Sequence, residues 1–496
     1  MKSMVAFWAA LLVGPAAVGQ TPWPTKRWEV ASPSRLGLSP DSLASLDREL
    51  ASGKYGYVDG LLVIRHGKVG YEQSYRHHYA AIYKKEASTK SALNSSDPGG
   101  PYNYFNPWWH PYYHGTDLHT LQSVTKTVTS ATIGVAIARH EFPDLNTPVL
   151  RFFDTTAVQH IDPRKRRLTL RHLLTMTAGL DWNEGSLPYA DPRNDGSLME
   201  ASHDWVKYVL DKPMAAEPGN AFNYNGGATQ LLAHIFRVAT GHDLEEYAAK
   251  HLFQPLGIRR YYWKRAPSGL VDAQGGLYLE KRDLAKIFYL YLKAGEWQGK
   301  QLIGTDYVRQ SVTPFVRLAP NVAYGYQWWL QSYGKKSTEV AWRGSGFGGQ
   351  AAIVLPQYDL VVVVTAWNIL PNMPQPAPAF LMEKILRSVN ADRKIKRQKP
   401  QRRLKSAHPG QTTGGCCAAG VAFVAAAWGP LKTAERTESA LAQKKAAGVQ
   451  NAAGVQNTAL TKAPVAVDIL RRGHDRGAAS LAASEPFPTL AGNFQH

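Results

Sequence analysis

Cysteine is almost missing from this 496-residue chain: there are two, Cys416 and Cys417, and they are adjacent. Neighbouring cysteines cannot staple distant segments, so a disulfide scaffold and a Cys-rich zinc module are both excluded. Long apolar runs are missing too. Met4–Val13 is too short to span a bilayer, and the longest later run, Cys416–Trp428, is short and Ala-rich. Acidic residues are few, 38 Asp+Glu against 57 Lys+Arg, for a formal net charge of +19. Such a balance first suggests an anionic partner, nucleic acid or a membrane surface. Core-forming residues are plentiful, at 44% hydrophobic with 14 Trp, 24 Tyr and 15 Phe. A chain of this composition buries a large core and is not disordered throughout.

The charge and the length both divide along the chain. Residues 1–20 combine Lys2, the apolar run and small residues around Ala17-Val18-Gly19, the layout of a signal peptide, and predict a secreted or periplasmic protein. Residues 21–390 carry the periodic patterns. Pro40-Asp41-Ser42 followed by Leu43, Leu46 and Leu50 predicts a helix over 40–52. Residues 60–72 predict a β-hairpin, 339–367 predict further strands, and Ala379–Val389 predicts a last helix. About 121–320 reads as a mostly helical insert. The expected fold is therefore α/β (α+β), an antiparallel sheet built from both ends of the region and flanked by helices. Residues 391–496 hold 16 Lys+Arg against 6 Asp+Glu, a net of +10, and repeat one hexapeptide at Ala446–Asn451 and Ala452–Asn457. Few aromatics and no sustained period predict a basic, low-complexity, disordered tail. The basic balance thus mostly describes an appendage, and nucleic acid is not expected at an active site.

Three short segments carry chemistry. Ser123-Val124-Thr125-Lys126 opens an apolar, small-residue helical pattern. Positions three apart share a helix face, so the Ser123 hydroxyl and the Lys126 amine would be neighbours. Burial disfavours a charged amine and would let it exchange protons with the hydroxyl. Near a helix N-terminus the N–H of Ser123 is free to face a developing oxyanion. The spacing alone is common on solvated helix faces, but a lone Lys in so apolar a helix is costly unless it has a use. Next, Pro218-Gly219 leads through Phe222-Asn223 to Tyr224 at a helix entry, either a packed Tyr or one reaching into a cleft. Third, Trp342-Arg343-Gly344-Ser345-Gly346-Phe347-Gly348-Gly349-Gln350 runs into a strand, with glycines that allow close backbone approach to a ligand.

In order along the chain, these segments resemble the class C β-lactamase-related serine hydrolases, of the β-lactamase/transpeptidase-like fold. The resemblance also rests on Leu168–Leu180, Leu256-Gly257-Ile258, Arg282-Asp283-Leu284-Ala285-Lys286 and Gly348-Gly349-Gln350. Trp328-Trp329 and Gly346–Gln350 look most similar to the 6-aminohexanoate-dimer hydrolase subgroup. The resemblance implies acyl transfer on Ser123, with Lys126 and Tyr224 sharing general-base and general-acid work. It implies an oxyanion held by the Ser123 N–H and a strand N–H, at Gly346 or Phe347. The substrate would be a small-molecule or peptide-like ester or amide, and no cofactor or metal is implied. Other readings are a β-lactamase or a D-alanyl carboxypeptidase (penicillin-binding protein) of the same fold, and a non-catalytic cell-wall-binding protein. Two motifs depart from the family pattern. Tyr-x-Asn is replaced by Tyr224-Asn225-Gly226, which removes an amide side chain. Lys-Thr-Gly or His-x-Gly is best matched by Arg343-Gly344-Ser345, and in a slipped register by Gly346-Phe347-Gly348; in the first the Arg343 charge could meet a substrate carboxylate. Both departures favour an esterase or amidase.

Long loops inside compact domains are often functional. The aromatic stretch 102–114 either packs on the domain or walls the cleft; in the second case Trp108 and Trp109 would line it, with Asp181, Trp182 and Trp328 as further candidates. His110, His114 and His119 lie in a Pro/Gly-rich loop with only Asp117 nearby, so structural histidines are expected rather than a zinc site.

Overall fold

A nine-stranded sheet organises the protein. The structure, a computed structural model, describes residues 23–389 apart from 95–96, 334–338 and 375–377. The proposed signal segment and the basic tail lie outside the described residues. Three strands come from the first part of the chain: β1 Glu29–Val30, β2 Val58–Arg65 and β3 Lys68–Ser74. Two pieces of a small sheet follow, β4 His119–Thr120 and then β5 Tyr262–Trp263 with β6 Leu277–Leu279. After a two-stranded ribbon, β7 Glu296–Trp297 and β8 Lys300–Gln301, the chain returns to the large sheet with six strands. These are β9 Val316–Ala319, β10 Val322–Tyr324, β11 Trp329–Tyr333, β12 Glu339–Gly346, β13 Gln350–Leu355 and β14 Leu360–Ala366. The spatial order is β1-β3-β2-β14-β13-β12-β11-β10-β9, antiparallel except for the parallel β1–β3 pair. The sheet is thus made from both ends of the region, as the hydrophobic patterning predicts. Strands β9–β11 extend it on the side of the helical insert.

Period-2 alternation builds two cores on the two faces. Leu62, Ile64, Val361, Val363, Ala352 and Val354 face the insert. Leu61, Val63, Val362, Val364, Ile353 and Leu355 face the terminal helices. The first of these helices, Pro40–Ala51, begins at Ser39, whose side chain accepts from Ser42 N, and buries Leu43, Leu46 and Leu50. Leu381, Met382 and Ile385 of the last helix, Pro378–Ser388, join the same cluster. On the other face the central helix, Val124–Ala138, is buried from Val124 to Ala136. It is apolar or small-residue all round because it has packing partners all round. Among the described residues no helix is long and apolar enough to cross a membrane.

The insertion at 79–115 starts with two short helices, Tyr79–Ile82 and Lys84–Ala87, and then packs its aromatics inward. Tyr79, Tyr83, Leu93, Tyr104 and Phe105 cluster on Trp367 and Ile369 just beyond β14. It therefore covers the end of the sheet at which the central helix begins.

Candidate active site

The central helix opens on Ser123, which holds the N-cap position with φ −62° and ψ −6°, but whose side chain makes no capping bond. Its hydroxyl instead accepts a hydrogen bond from Lys126 Nζ at 2.9 Å. The preceding Gln122 has φ 47°, a left-handed conformation that costs a non-glycine residue energy and turns the chain sharply into the helix. The N–H of Ser123 donates no hydrogen bond to any described residue. It stays available at the positive end of a 15-residue helix.

Lys126 is 1% exposed. Such burial is tolerable because three oxygens surround its nitrogen: Ser123 Oγ, the main-chain oxygen of Gln274 at 2.9 Å and Gln274 Oε1 at 3.3 Å. Gln274 is brought there by the threonines of the helix. Thr129 Oγ1 donates to Ala273 O at 2.9 Å and Thr125 Oγ1 accepts from Leu277 N at 3.2 Å. With the Leu121 N–H to Leu277 O bond, these pin residues 273–277 along one side of the helix. Gly226 leaves the room Gln274 needs: a Cβ there would lie 2.9 Å from Gln274 Oε1. The Gln274 amide thus occupies the space that the absent side chain at position 226 leaves.

Tyr224 turns its ring face to the amine, with Lys126 Nζ 5.1 Å from the ring centroid. The ring lies against Trp329 at 5.9 Å and 26°. No hydrogen bond joins the Tyr224 hydroxyl to Ser123 or Lys126. Asn225 is not free to replace the missing amide. It is buried, and as N-cap of the helix Gly226–Thr240 it accepts from Ala228 N at 2.9 Å.

On the opposite wall β12 passes close to the nucleophile loop. A Cβ at Gly344 would meet Val124 and Thr127 of the central helix, and one at Gly346 would lie 2.4 Å from Leu121 O. β11 pairs with β12 only as far as Arg343, so Gly344–Gly346 bond to β13 alone and leave one edge open. Gly346 O accepts from Gly349 N at 3.2 Å, on the β13 side. Backbone groups alternate along a strand, so the next N–H, that of Phe347, is turned toward the open edge. It donates to no described backbone oxygen. Arg343 and Ser345 lie on the other face of the strand, joined by Nη1 to Oγ at 2.8 Å. The Arg343 guanidinium sits 5.5 Å from the Trp329 ring centroid, and its buried Nε has no hydrogen-bond partner. Burial lowers its pKa to about 10, and among the described residues no carboxylate pairs with it.

A small pocket holds Ser123 at its floor. Gln122, Gln274 and Glu200 supply its polar lining, and Leu93, Tyr104, Tyr189 and Phe347 its apolar walls. Burial pushes the Glu200 carboxyl up to about 7, against the opposing pull of Lys264. The insertion does form a wall, through Leu93 and Tyr104. Trp108 and Trp109 are not part of it: Trp108 is 57% exposed and stacks on His114, and Trp109 packs on Tyr113, His114 and Tyr262. The other expected lining residues also lie elsewhere. Trp328 is buried against Phe288 and Tyr291, Trp182 is buried with Nε1 donating to Glu184, and Asp181 is exposed. Trp329, one residue along the strand, is the tryptophan beside the site. The three histidines occupy separate places. His110 stacks on Trp367 at 5.0 Å, His114 lies between Trp108 and Tyr113, and His119 bonds Asp59 at 3.0 Å.

Sequence reasoning missed Gln274, Glu200, Tyr104, Tyr189 and Trp329. The one local signal was the Asp272-Ala273-Gln274-Gly275-Gly276 turn, whose paired glycines mark a tight backbone approach.

Comparison with known proteins bears on the family and the fold. The profile of the family described as Beta-lactamase matches residues 59–382. The 6-aminohexanoate-dimer hydrolase of Paenarthrobacter ureafaciens is 25% identical over 273 residues, 51% of this chain and 67% of that protein. Monacolin J acid methylbutanoyltransferase of Aspergillus terreus is 33% identical over 117 residues, 23% of this chain, and the match spans only 28% of that relative. A solved structure from Bacillus anthracis that carries the name 6-aminohexanoate-dimer hydrolase superposes with a TM-score of 0.51 at 19% identity. That superposition covers 70% of this chain and 83% of the other, a likeness of fold. With a serine and a buried lysine paired at the start of its central helix, and the family profile matched over most of the described residues, the chain belongs to the Beta-lactamase family, a family of serine hydrolases that includes esterases and amidases.

Proposed function

We propose that this protein is a serine hydrolase that cleaves small carboxylic esters or amides through an acyl-enzyme on Ser123. One observation carries the reading: a nearly fully buried lysine amine donates to a serine hydroxyl at 2.9 Å on the floor of a pocket. For the attack the Ser123–Lys126 hydrogen bond reverses: two amine hydrogens stay on the Gln274 oxygens, the Ser123 hydroxyl donates to the Lys126 Nζ lone pair, and the nitrogen takes that proton as Oγ attacks the substrate carbonyl. The resulting oxyanion is met by the N–H groups of Ser123 and Phe347, neither of which donates to a described backbone oxygen. When the intermediate collapses, the leaving alcohol or amine takes a proton back from Lys126; Tyr224, whose ring face meets the amine, is the second group offered for this transfer. Water then repeats the sequence on the acyl-enzyme and releases the acid.

The small volume favours a short acyl group. Arg343, lacking a carboxylate partner, supports substrates that carry a carboxylate at the Trp329 side. On the strength of residues 1–20 the enzyme acts outside the cytoplasm, which fractionation of expressing cells tests. The activity test is a panel: a short-chain nitrophenyl ester, a chromogenic cephalosporin, a D-alanyl peptide and a linear amide oligomer. The reading expects turnover of the ester or the amide to exceed that of the cephalosporin. Failure of every substrate, with no labelling by a fluorophosphonate, overturns it.

A further inference from the structure

Glu200 sits near the end of the helix Asp195–Ala201 and lines the pocket with Ser123, yet the reaction above gives it no task. Its carboxylate accepts from Gln274 Nε2 at 2.9 Å. An amide has one donor end and one acceptor end. With the NH₂ end held by Glu200, Gln274 must present Oε1 to Lys126 Nζ, as it does at 3.3 Å. If the amide were flipped, its NH₂ would face the amine, donor against donor. We propose that Glu200 is a positioning residue: it fixes the amide of Gln274, and through it the aim of Lys126 at Ser123, and it does so as a carboxylate. The proposal rests on the reading of Ser123 and Lys126 given above.

The surroundings make that carboxylate titrate where it matters. Tyr104 of the insertion donates to both of its oxygens at 2.9 Å. Lys264, just after β5, and Asp272, in the turn before β6, are the charged groups facing it, and burial lowers the Lys264 amine and raises the Asp272 carboxyl in turn. Tyr102 stands beside them and donates to Asp272 Oδ2 at 3.3 Å. Lys126 lies beyond Gln274. Burial raises the Glu200 carboxyl and the Asp272 charge adds to this, while Lys264 and the hydrogen bonds from Tyr104 and Gln274 work in the opposite direction. A protonated Glu200 is a weaker acceptor for the Gln274 NH₂, so the amide loosens as the pH falls.

The test is the pH dependence of kcat and kcat/KM on a short-chain nitrophenyl ester. It compares wild type, Glu200→Gln, Glu200→Ala and Tyr104→Phe, each first counted for intact sites with a fluorophosphonate. Wild-type activity should rise in a step near pH 7. Glu200→Gln keeps an acceptor for Gln274 but cannot titrate, so the step should vanish. At pH 8 Glu200→Ala frees the amide and should lower kcat about 10- to 100-fold with KM changed less than about twofold, and Glu200→Gln, a neutral acceptor like the protonated acid, should hold the low-pH level of wild type, above Glu200→Ala. Tyr104→Phe removes a hydrogen bond to the ionised form and should move the step to higher pH. A step that persists in Glu200→Gln, a kcat in Glu200→Ala equal to that of Glu200→Gln, or a step unmoved in Tyr104→Phe overturns the proposal. Equal labelling of Ser123→Ala and wild type overturns instead the reading of Ser123 on which it rests.

Discussion

Gly346→Ala tests whether the close pass of β12 over the nucleophile loop matters for catalysis. The φ of Gly346 is not in the left-handed region, so the added methyl acts by contact alone. That methyl would lie 2.4 Å from Leu121 O, 3.0 Å from Gln350 Cβ and 3.1 Å from Gln122 Cβ. The nearest of these is backbone, two residues before Ser123, and cannot swing aside. Relief requires the strand and the loop to part by roughly 1 Å. An oxyanion donor works only within about 2.7–3.1 Å of the oxygen, and losing one costs about 2.7–4 kcal/mol, or 10²- to 10³-fold in rate. We expect kcat/KM on a nitrophenyl ester to fall about 100-fold, with a stability loss of about 1–3 kcal/mol from overpacking. Gly304→Ala is the control, because a Cβ there meets nothing within 4 Å. Stopped-flow acylation with a parallel thermal melt separates the two effects. If Gly346→Ala acylates within threefold of wild type, the strand edge is not part of an oxyanion hole.

Four further outcomes are expected. Tyr224→Phe should lower kcat by about 10²- to 10⁴-fold with little change in KM if the hydroxyl relays a proton; wild-type kinetics would make Tyr224 a packing residue. Trp108→Ala and Trp109→Ala should leave KM for apolar esters unchanged, since neither ring lines the pocket; a rise in KM would return them to the cleft wall. Arg343→Gln should raise KM for an ester bearing a carboxylate and spare its neutral analogue; parallel changes in both would remove the anion seat. For Glu200 the sign follows from linkage: its folded value of about 7 exceeds the ordinary 4.5, so its cost to stability is absent below pH 4.5 and complete above pH 7. Glu200→Gln should then melt higher than wild type at pH 8 but not at pH 4, by up to about 3 kcal/mol; equal melts at pH 8 would refute the raised value.

The sequence carried the parts of this site that depend on short spacing. Ser123 and Lys126 lie three apart on a helix, and a lysine among Val, Ala, Ile and Gly needs a reason to be there. The hairpin and the β13 and β14 strands were likewise legible as short apolar runs ended by Gly and Pro turns, and the terminal helices from Leu43, Leu46 and Leu50 and their counterparts. Gln274 and Glu200 were not legible. They reach Lys126 only because the threonine face of the central helix grips residues 273–277 and because the insertion lays Tyr104 over Glu200. No local pattern encodes a contact between residues 148 apart, such as Lys126 and Gln274. The aromatic candidates were misplaced for a related reason. Trp328 and Trp329 are neighbours whose side chains lie on opposite sides of the chain, so only one of them can face Tyr224. Within 102–114, the same aromatic composition serves a pocket wall at Tyr104 and a solvent-facing stack at Trp108.

The most direct measurement of the central claim is peptide mapping after reaction with a fluorophosphonate. The account predicts a single adduct on the peptide that contains Ser123, and none in Ser123→Ala at the same folded concentration. Lys126→Met should fold yet label at least about 100-fold more slowly. An adduct on another residue, or undiminished labelling of Ser123→Ala, would contradict it.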